Sequence, residues 1–138
     1  MNVKRAMLLV LIGAIMMMAG CGSKYNDLVE VNTEFVSAME DYIDATGKAA
    51  NAKDVAHAIN AYADKIEKLA PQIKNVRGKY PELENTTEVP EELKSIEKKM
   101  QELEKKVADS YMNMMKYMMN PEVQKAQQRL SNAMMSMQ

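Results

Sequence analysis

Between residues 55 and 80 the chain sets out apolar side chains at alternating intervals of four and three: Val55, Ile59, Tyr62, Ile66, Leu69, Ile73, Val76 and Tyr80. A series of this kind returns to one side of an α-helix at every turn, and it is the repeat by which helices pack along their length. A strand could not use it, because successive strand side chains point to opposite faces. Asn51, with Asp54 three residues on, supplies an N-cap for this helix. Pro71 falls inside it but on the outer face, where water can satisfy the carbonyl that proline frees. The expectation there is a kink and not a break. A stripe this long must be covered by other helices of similar length.

Those partners are visible on either side. A helix from Tyr25 to Thr46 carries Leu28, Val31, Phe35, Ala38, Met39 and Tyr42 on a wide apolar face, with Val36 and Ile43 beside it. Gly47 stands where a C′ glycine would end it. A third helix opens near Pro90 and repeats the alternation with Leu93, Ile96, Met100, Leu103, Val107, Ser110, Met114 and Tyr117. Asn120, Pro121 and Glu122 read as N-cap, N1 and N2 of a fourth, whose thinner stripe is Val123, Ala126, Leu130, Ala133 and Met137. The fold class is therefore all-α, an up-down helical bundle of three long helices plus a shorter fourth. Charge agrees with antiparallel packing of the first two helices. Asp27, Glu30, Glu34, Glu40, Asp41 and Asp44 make the first acidic, while Lys65, Lys68, Lys74, Arg77 and Lys79 make the second half of the next one basic. The polar stretch from Glu82 to Val89 is the one substantial loop, and the sequon at Asn85, Thr86 and Thr87 is taken as chance.

The N-terminus has a different character. Lys4 and Arg5 precede an apolar run from Ala6 to Met18, then come Ala19, Gly20 and the only cysteine, Cys21. A basic start, a short apolar run and small residues before a cut site describe a secretory signal peptide. The run is too short for a membrane-spanning helix, which needs roughly 20 residues. Met18-Ala19-Gly20-Cys21 resembles the lipobox of bacterial lipoproteins, with Met18 where that family favours leucine. The resemblance implies a signal peptide over residues 1–20 and a helical-bundle domain over residues 21–138, anchored to the lipid bilayer through acyl chains on Cys21. Two or three chains hold a protein durably on a membrane, whereas one does so only marginally. It also implies a cell-envelope location. Gly22 is not the aspartate that retains such proteins in an inner membrane, so the outer membrane is favoured where the organism has one.

Composition removes several function classes. Without Lys4 and Arg5 the acidic residues outnumber the basic ones, which does not suit nucleic acid. With Cys21 lipidated, residues 22–138 have no thiol for a disulfide. No nucleophile elbow, catalytic Ser/His/Asp set, zinc motif or phosphate loop is present, and neither enzyme activity nor a cofactor is expected. The sole histidine, His57, lies with Asp54 in an Asp-x-x-His spacing on the outer face, unlike the paired inward motifs of di-iron bundles.

Methionine is the oddest feature: of 15, eight fall between Met112 and Met137. Met112, Met115 and Met119 lie off the core stripe at i, i+3, i+7, so a second surface of the third helix is apolar. Three readings follow. The fourth helix, with its alanines, docks over the methionines, which fill irregular gaps well. Alternatively Met112, Met115 and Met119 form an interaction surface for an envelope protein partner, a second copy or lipid. Third, Met112-x-Met114 and Met134-Met135-x-Met137 resemble the Met clusters of envelope copper-handling proteins, thioethers being soft ligands. The helix layout also resembles that of small periplasmic b-type cytochromes, which implies a haem ligated by a methionine early in the first helix and a histidine in the fourth. Here Met39 is past the middle of the first helix and the fourth has no histidine. The function expected is an interaction or assembly module on the envelope membrane, with a soft-metal (copper) or haem-type binder as the competing class.

Overall fold

The computed structural model describes residues 24–84 and 89–137. Four α-helices lie within them: α1 (Asn26–Lys48), α2 (Ala52–Lys79), α3 (Glu91–Met115) and α4 (Pro121–Met135). A 3-10 turn, Pro81–Glu84, follows α2, and there is no strand among the described residues. The chain is an all-α bundle of three long helices, of 23, 28 and 25 residues, with a shorter fourth of 15. The lipobox-like Met18–Cys21 and the sequon at 85–87 lie outside the described residues.

Local chemistry explains where the helices begin. The Asn51 side chain accepts from the Asp54 N–H at 2.9 Å, while the Asp54 carboxylate accepts from Asn51 Nδ2 at 2.9 Å and from the Ala50 N–H at 3.2 Å. Side chain and backbone thus cap each other reciprocally, which satisfies donors that a helix start leaves open. Asn120 caps α4 from one side only, accepting from the Glu122 N–H at 2.9 Å with Pro121 in the first turn. All eight positions of the α2 stripe are buried. Pro71 is exposed, and α2 runs through it unbroken.

Ion pairs report which helices run side by side and in which sense. Lys79 pairs with Asp27 and Lys65 with Asp41, so α1 and α2 are antiparallel, as the charge pattern predicts. On α3, Lys99 reaches Glu40 at 3.0 Å and Asn113 reaches the Ala49 carbonyl at 2.9 Å, so α3 runs parallel to α1. On α4, Arg129 holds Asp64 at 2.5 Å and the Met137 carbonyl accepts from Arg77 at 3.3 Å, so α4 runs parallel to α2. The close helix pairs are α1–α2, α1–α3 and α2–α4. α2 therefore ends, and α3 begins, at the end of the bundle where α1 begins. Lys24, just ahead of α1, meets Glu82 there at 2.6 Å.

Two apolar clusters fill the interior. The larger takes Phe35, Ile66, Ile73, Leu93, Ile96 and Leu103 among others, and the smaller takes Val55, Ile59, Met114 and Val123 at the opposite end. The buried polar residues Thr46, Ser110 and Asn32 find hydrogen-bond partners. Thr46 and Ser110 share a hydrogen bond through their hydroxyls, and Thr46 Oγ1 also donates to the Tyr42 carbonyl at 2.7 Å. Asn32 Nδ2 donates to the Leu28 carbonyl at 3.0 Å.

Two boundary expectations and one of burial need correction. Gly47 does not end α1: the helix passes through it to Lys48, because Asn113 of α3 supplies the cap instead. Val107, placed on the α3 core stripe by its spacing, is 42% exposed. The third helix ends at Met115, so Tyr117 and Met119 lie in a run of tight turns leading to Asn120 and not on a continuing helix.

Candidate contact surface

The face of α3 turned to α1 is polar at its edge. Lys99, Lys106 and Asn113, spaced by seven, all reach across to α1, at Glu40 for the lysines and at the helix C-terminus for Asn113. Leu93, Ile96, Met100, Leu103, Ser110 and Met114 form the buried line beside it. Beyond that line, on the side away from α1, Val107, Tyr111 and Met115 recur at i, i+4, i+8, with Met112 one step further round.

None of these is covered. Met112 is 69% exposed, Met115 50% and Met119 85%, and Tyr111 is exposed to a similar degree. Among the described residues the exposed large hydrophobics are Val107, Tyr111, Met112, Met115, Met119 and Met135. Five of those six belong to the second half of α3 and the turn after it. The expectation that the fourth helix docks over the methionines is thus not met for Met112, Met115 and Met119. The reason lies in the small residues of α2. Ala56, Ala63 and Ala70 form a buried row at intervals of seven, matched on α4 by Ala126 and Ala133. Small side chains let two helices approach closely, and α4 packs on α2 through them. Arg129, donating to Glu67 at 2.8 and 3.1 Å and to Asp64 at 2.5 Å, holds α4 in that position.

The other methionines divide between interior and surface. Met114 is buried and its sulfur accepts from Tyr42 Oη at 3.4 Å, while Met118 Sδ accepts from Gln127 Nε2 at 2.7 Å. In Met134-Met135-x-Met137 the three side chains are half-buried, exposed and buried in turn. The Met112-x-Met114 spacing likewise sends one sulfur outward and one inward, so neither run gathers its sulfurs at a single point. His57 is exposed, and the Asp54 carboxylate beside it is taken up by the α2 cap. Among the described residues no three His, Cys, Asp or Glu side chains come together as a metal site requires, and no helix is long and apolar enough to cross a membrane.

Tyr111 and Val107 escaped sequence reasoning as members of this surface. Val107 fits the 3–4 alternation so well that only the exposure of its side chain shows it to be outside. A signal was present, since Ser110 holds a core position and an apolar residue spared from the core at 107 or 111 needs another use. Compared with protein-family models, with curated proteins and with solved structures, the chain finds no match in any of the three.

Proposed function

We propose that this chain is a membrane-anchored lipoprotein of the cell envelope whose helical bundle works by contact, as a protein-interaction or assembly module, and not by catalysis. The observation that carries the reading is the uncovered stripe of Met112, Met115 and Met119 with Val107 and Tyr111. Contiguous apolar surface of this kind costs solubility and is retained where something binds it. Methionine suits such a surface because its unbranched, polarisable side chain adapts to the shape of a partner.

Geometry gives the reading a direction. Cys21, the lipidation site in this proposal, precedes the start of α1 by only five residues. Because α3 is parallel to α1, the methionine surface sits near the far end of α1, about 30 Å away at ~1.5 Å per residue. The bundle then works as a spacer, with its membrane end at Lys24 and its contact end at Met112–Met119. In an organism with two membranes the residue after the lipidated cysteine, Gly22, directs the anchor to the outer one. The partner is an envelope protein or a second copy of the chain.

The test is photocrosslinking in intact cells, from a probe placed at Tyr111 of the full chain. Adducts are expected with the native sequence and are expected to vanish when Met112, Met115 and Met119 are all changed to Gln, with the thermal midpoint unmoved. Adducts that persist in the triple variant overturn the surface. Cys21→Ser tests the anchor separately, since it should release the chain from membranes.

A further inference from the structure

A second feature lies between α2 and α4 and shares no residue with the methionine surface. Where the first two turns of α2 and α4 run side by side there is a cleft of about 390 Å³. Lys53, Ala56, His57 and Asn60 line it from α2, and Glu122, Lys125, Ala126 and Arg129 from α4. Ala56 and Ala126 are buried and form its floor. Their short side chains create the space, which larger residues at either position would fill.

The polar groups around this floor do not neutralise one another. Most lysines that approach a neighbouring helix here meet a carboxylate: Lys65 with Asp41, Lys79 with Asp27, Lys99 with Glu40. Lys53, Lys125 and His57 instead face the cleft with no ion pair or hydrogen bond among the described residues. Glu122 is one lining carboxylate against two unpaired lysines and the imidazole. Arg129 is already held by Asp64 and Glu67, so it closes one end of the cleft as a fixed wall. The Glu122 carboxylate and the Asn60 amide are likewise without side-chain partners there, one able only to accept and the other able to do both.

We propose that this cleft binds a small phosphorylated polyol or sugar. Lys53, Lys125 and His57 take the phosphate, and Glu122 and Asn60 take hydroxyl groups of the attached polyol. Lysine binds phosphate as a mobile point charge with three donors. A carboxylate at the rim repels a bare anion but accepts readily from hydroxyls, which selects an ester that carries both. Size points the same way. The volume falls within the range of small-molecule sites, roughly 300–1,000 Å³. A free phosphate, only a few times larger than a water of about 30 Å³, leaves most of it empty.

The experiment is a calorimetric titration of the full chain, purified in an uncharged detergent, with glycerol 1-phosphate at constant ionic strength. Inorganic phosphate and glycerol are titrated in parallel. The expected result is saturable binding of glycerol 1-phosphate, at least tenfold tighter than inorganic phosphate, with no heat from glycerol. The double variant Lys53→Gln, Lys125→Gln should weaken it tenfold or more, while Lys74→Gln, Lys98→Gln, at exposed sites elsewhere, leaves it unchanged. Circular dichroism of both variants confirms that the bundle is intact. Inorganic phosphate binding as tightly as the ester overturns the polyol half of the proposal. Absence of saturable binding, or binding that survives the double substitution at 53 and 125, overturns the site.

Discussion

The side-chain amide of Asn113 donates to the Thr46 carbonyl at 2.9 Å, and the same nitrogen reaches the Ala49 carbonyl at 2.9 Å. A helix C-terminus leaves its last carbonyls without intrahelical partners. Here α3 supplies the donor that α1 lacks, and the bond also fixes how far α3 extends along α1. Asn113→Leu removes the donor, leaving the part-buried Ala49 carbonyl unpaired and the Thr46 carbonyl with only the long bond from the Ala49 N–H at 3.4 Å. The expected cost is about 1–3 kcal/mol, read from the urea midpoint. Asn113→Asp should be no better, because a carboxylate cannot donate. A midpoint unchanged in both variants would show that water caps α1 equally well.

Because Asn113 does this work, Gly47 has no special conformation to adopt. Its φ is not in the left-handed region, and a Cβ added there meets nothing within 4 Å. Gly47→Ala should therefore stabilise the chain, by about 0.5–1 kcal/mol, through the smaller backbone entropy of the unfolded state. Destabilisation would restore Gly47 to the role of a helix-ending residue.

The end of the bundle where α1 begins is tied by charge. Asp27 accepts from Lys79, from the Tyr80 hydroxyl and from the Leu28 N–H, while Tyr80 Oη also contacts the Lys24 carbonyl at 2.8 Å. Partial desolvation pushes the Asp27 carboxyl upward, but the hydrogen bonds from Lys79, Tyr80 and Leu28 outweigh it and hold the group below its ordinary value. Glu82, hydrogen-bonded by Lys24, is shifted the same way. A carboxyl whose folded value is depressed stabilises the fold above its unfolded value, near 3.8 for Asp27, and that stability is lost as pH falls through the folded value. The urea midpoint should thus decline below about pH 4, and Asp27→Asn should flatten that decline. Because the Asp27 side chain is partly solvated, its contribution is at most about 1 kcal/mol. An equal acid slope in the variant would assign the decline to other carboxylates.

How much of this was legible follows from the kind of signal each feature leaves. The α2 stripe from Val55 to Tyr80 was readable in full, because a long periodic pattern with one buried side admits one register. The caps at Asn51 and Asn120 were readable because their partners, Asp54 and Glu122, lie within three residues. The cap from Asn113 was not, since its partners are more than sixty residues away and nothing in the local sequence marks it. Position 107 misled for a related reason: periodicity places a side chain on a face, but only the path of a neighbouring helix decides whether that face is covered. The route of α4 was set by alanine rows at 56, 63 and 70 and at 126 and 133, which look like helix-favouring filler until both are seen buried. Met112, Met115 and Met119 could be singled out from the sequence as apolar residues off the stripe, but whether α4 would cover them could not.

One buried group in the core has no partner. Tyr62 is 3% exposed and stacks on Tyr42 with centroids 4.8 Å apart and rings inclined by 18°, yet its hydroxyl has no hydrogen-bond partner among the described residues. Burial pushes its ionisation well above the usual phenol range, which favours the neutral hydroxyl. A neutral hydroxyl removed from water without a new partner costs about 1–3 kcal/mol. Tyr62→Phe keeps the ring, its stacking and nearly all its volume while deleting that cost. The variant should be more stable than the parent by about 1 kcal/mol or more, seen as a raised urea midpoint with an unchanged slope. Tyr42→Phe is the control, because it deletes a hydroxyl that does have a partner, the Met114 sulfur at 3.4 Å, and should not gain. A loss of stability in Tyr62→Phe would mean that the hydroxyl is satisfied in solution by a buried water.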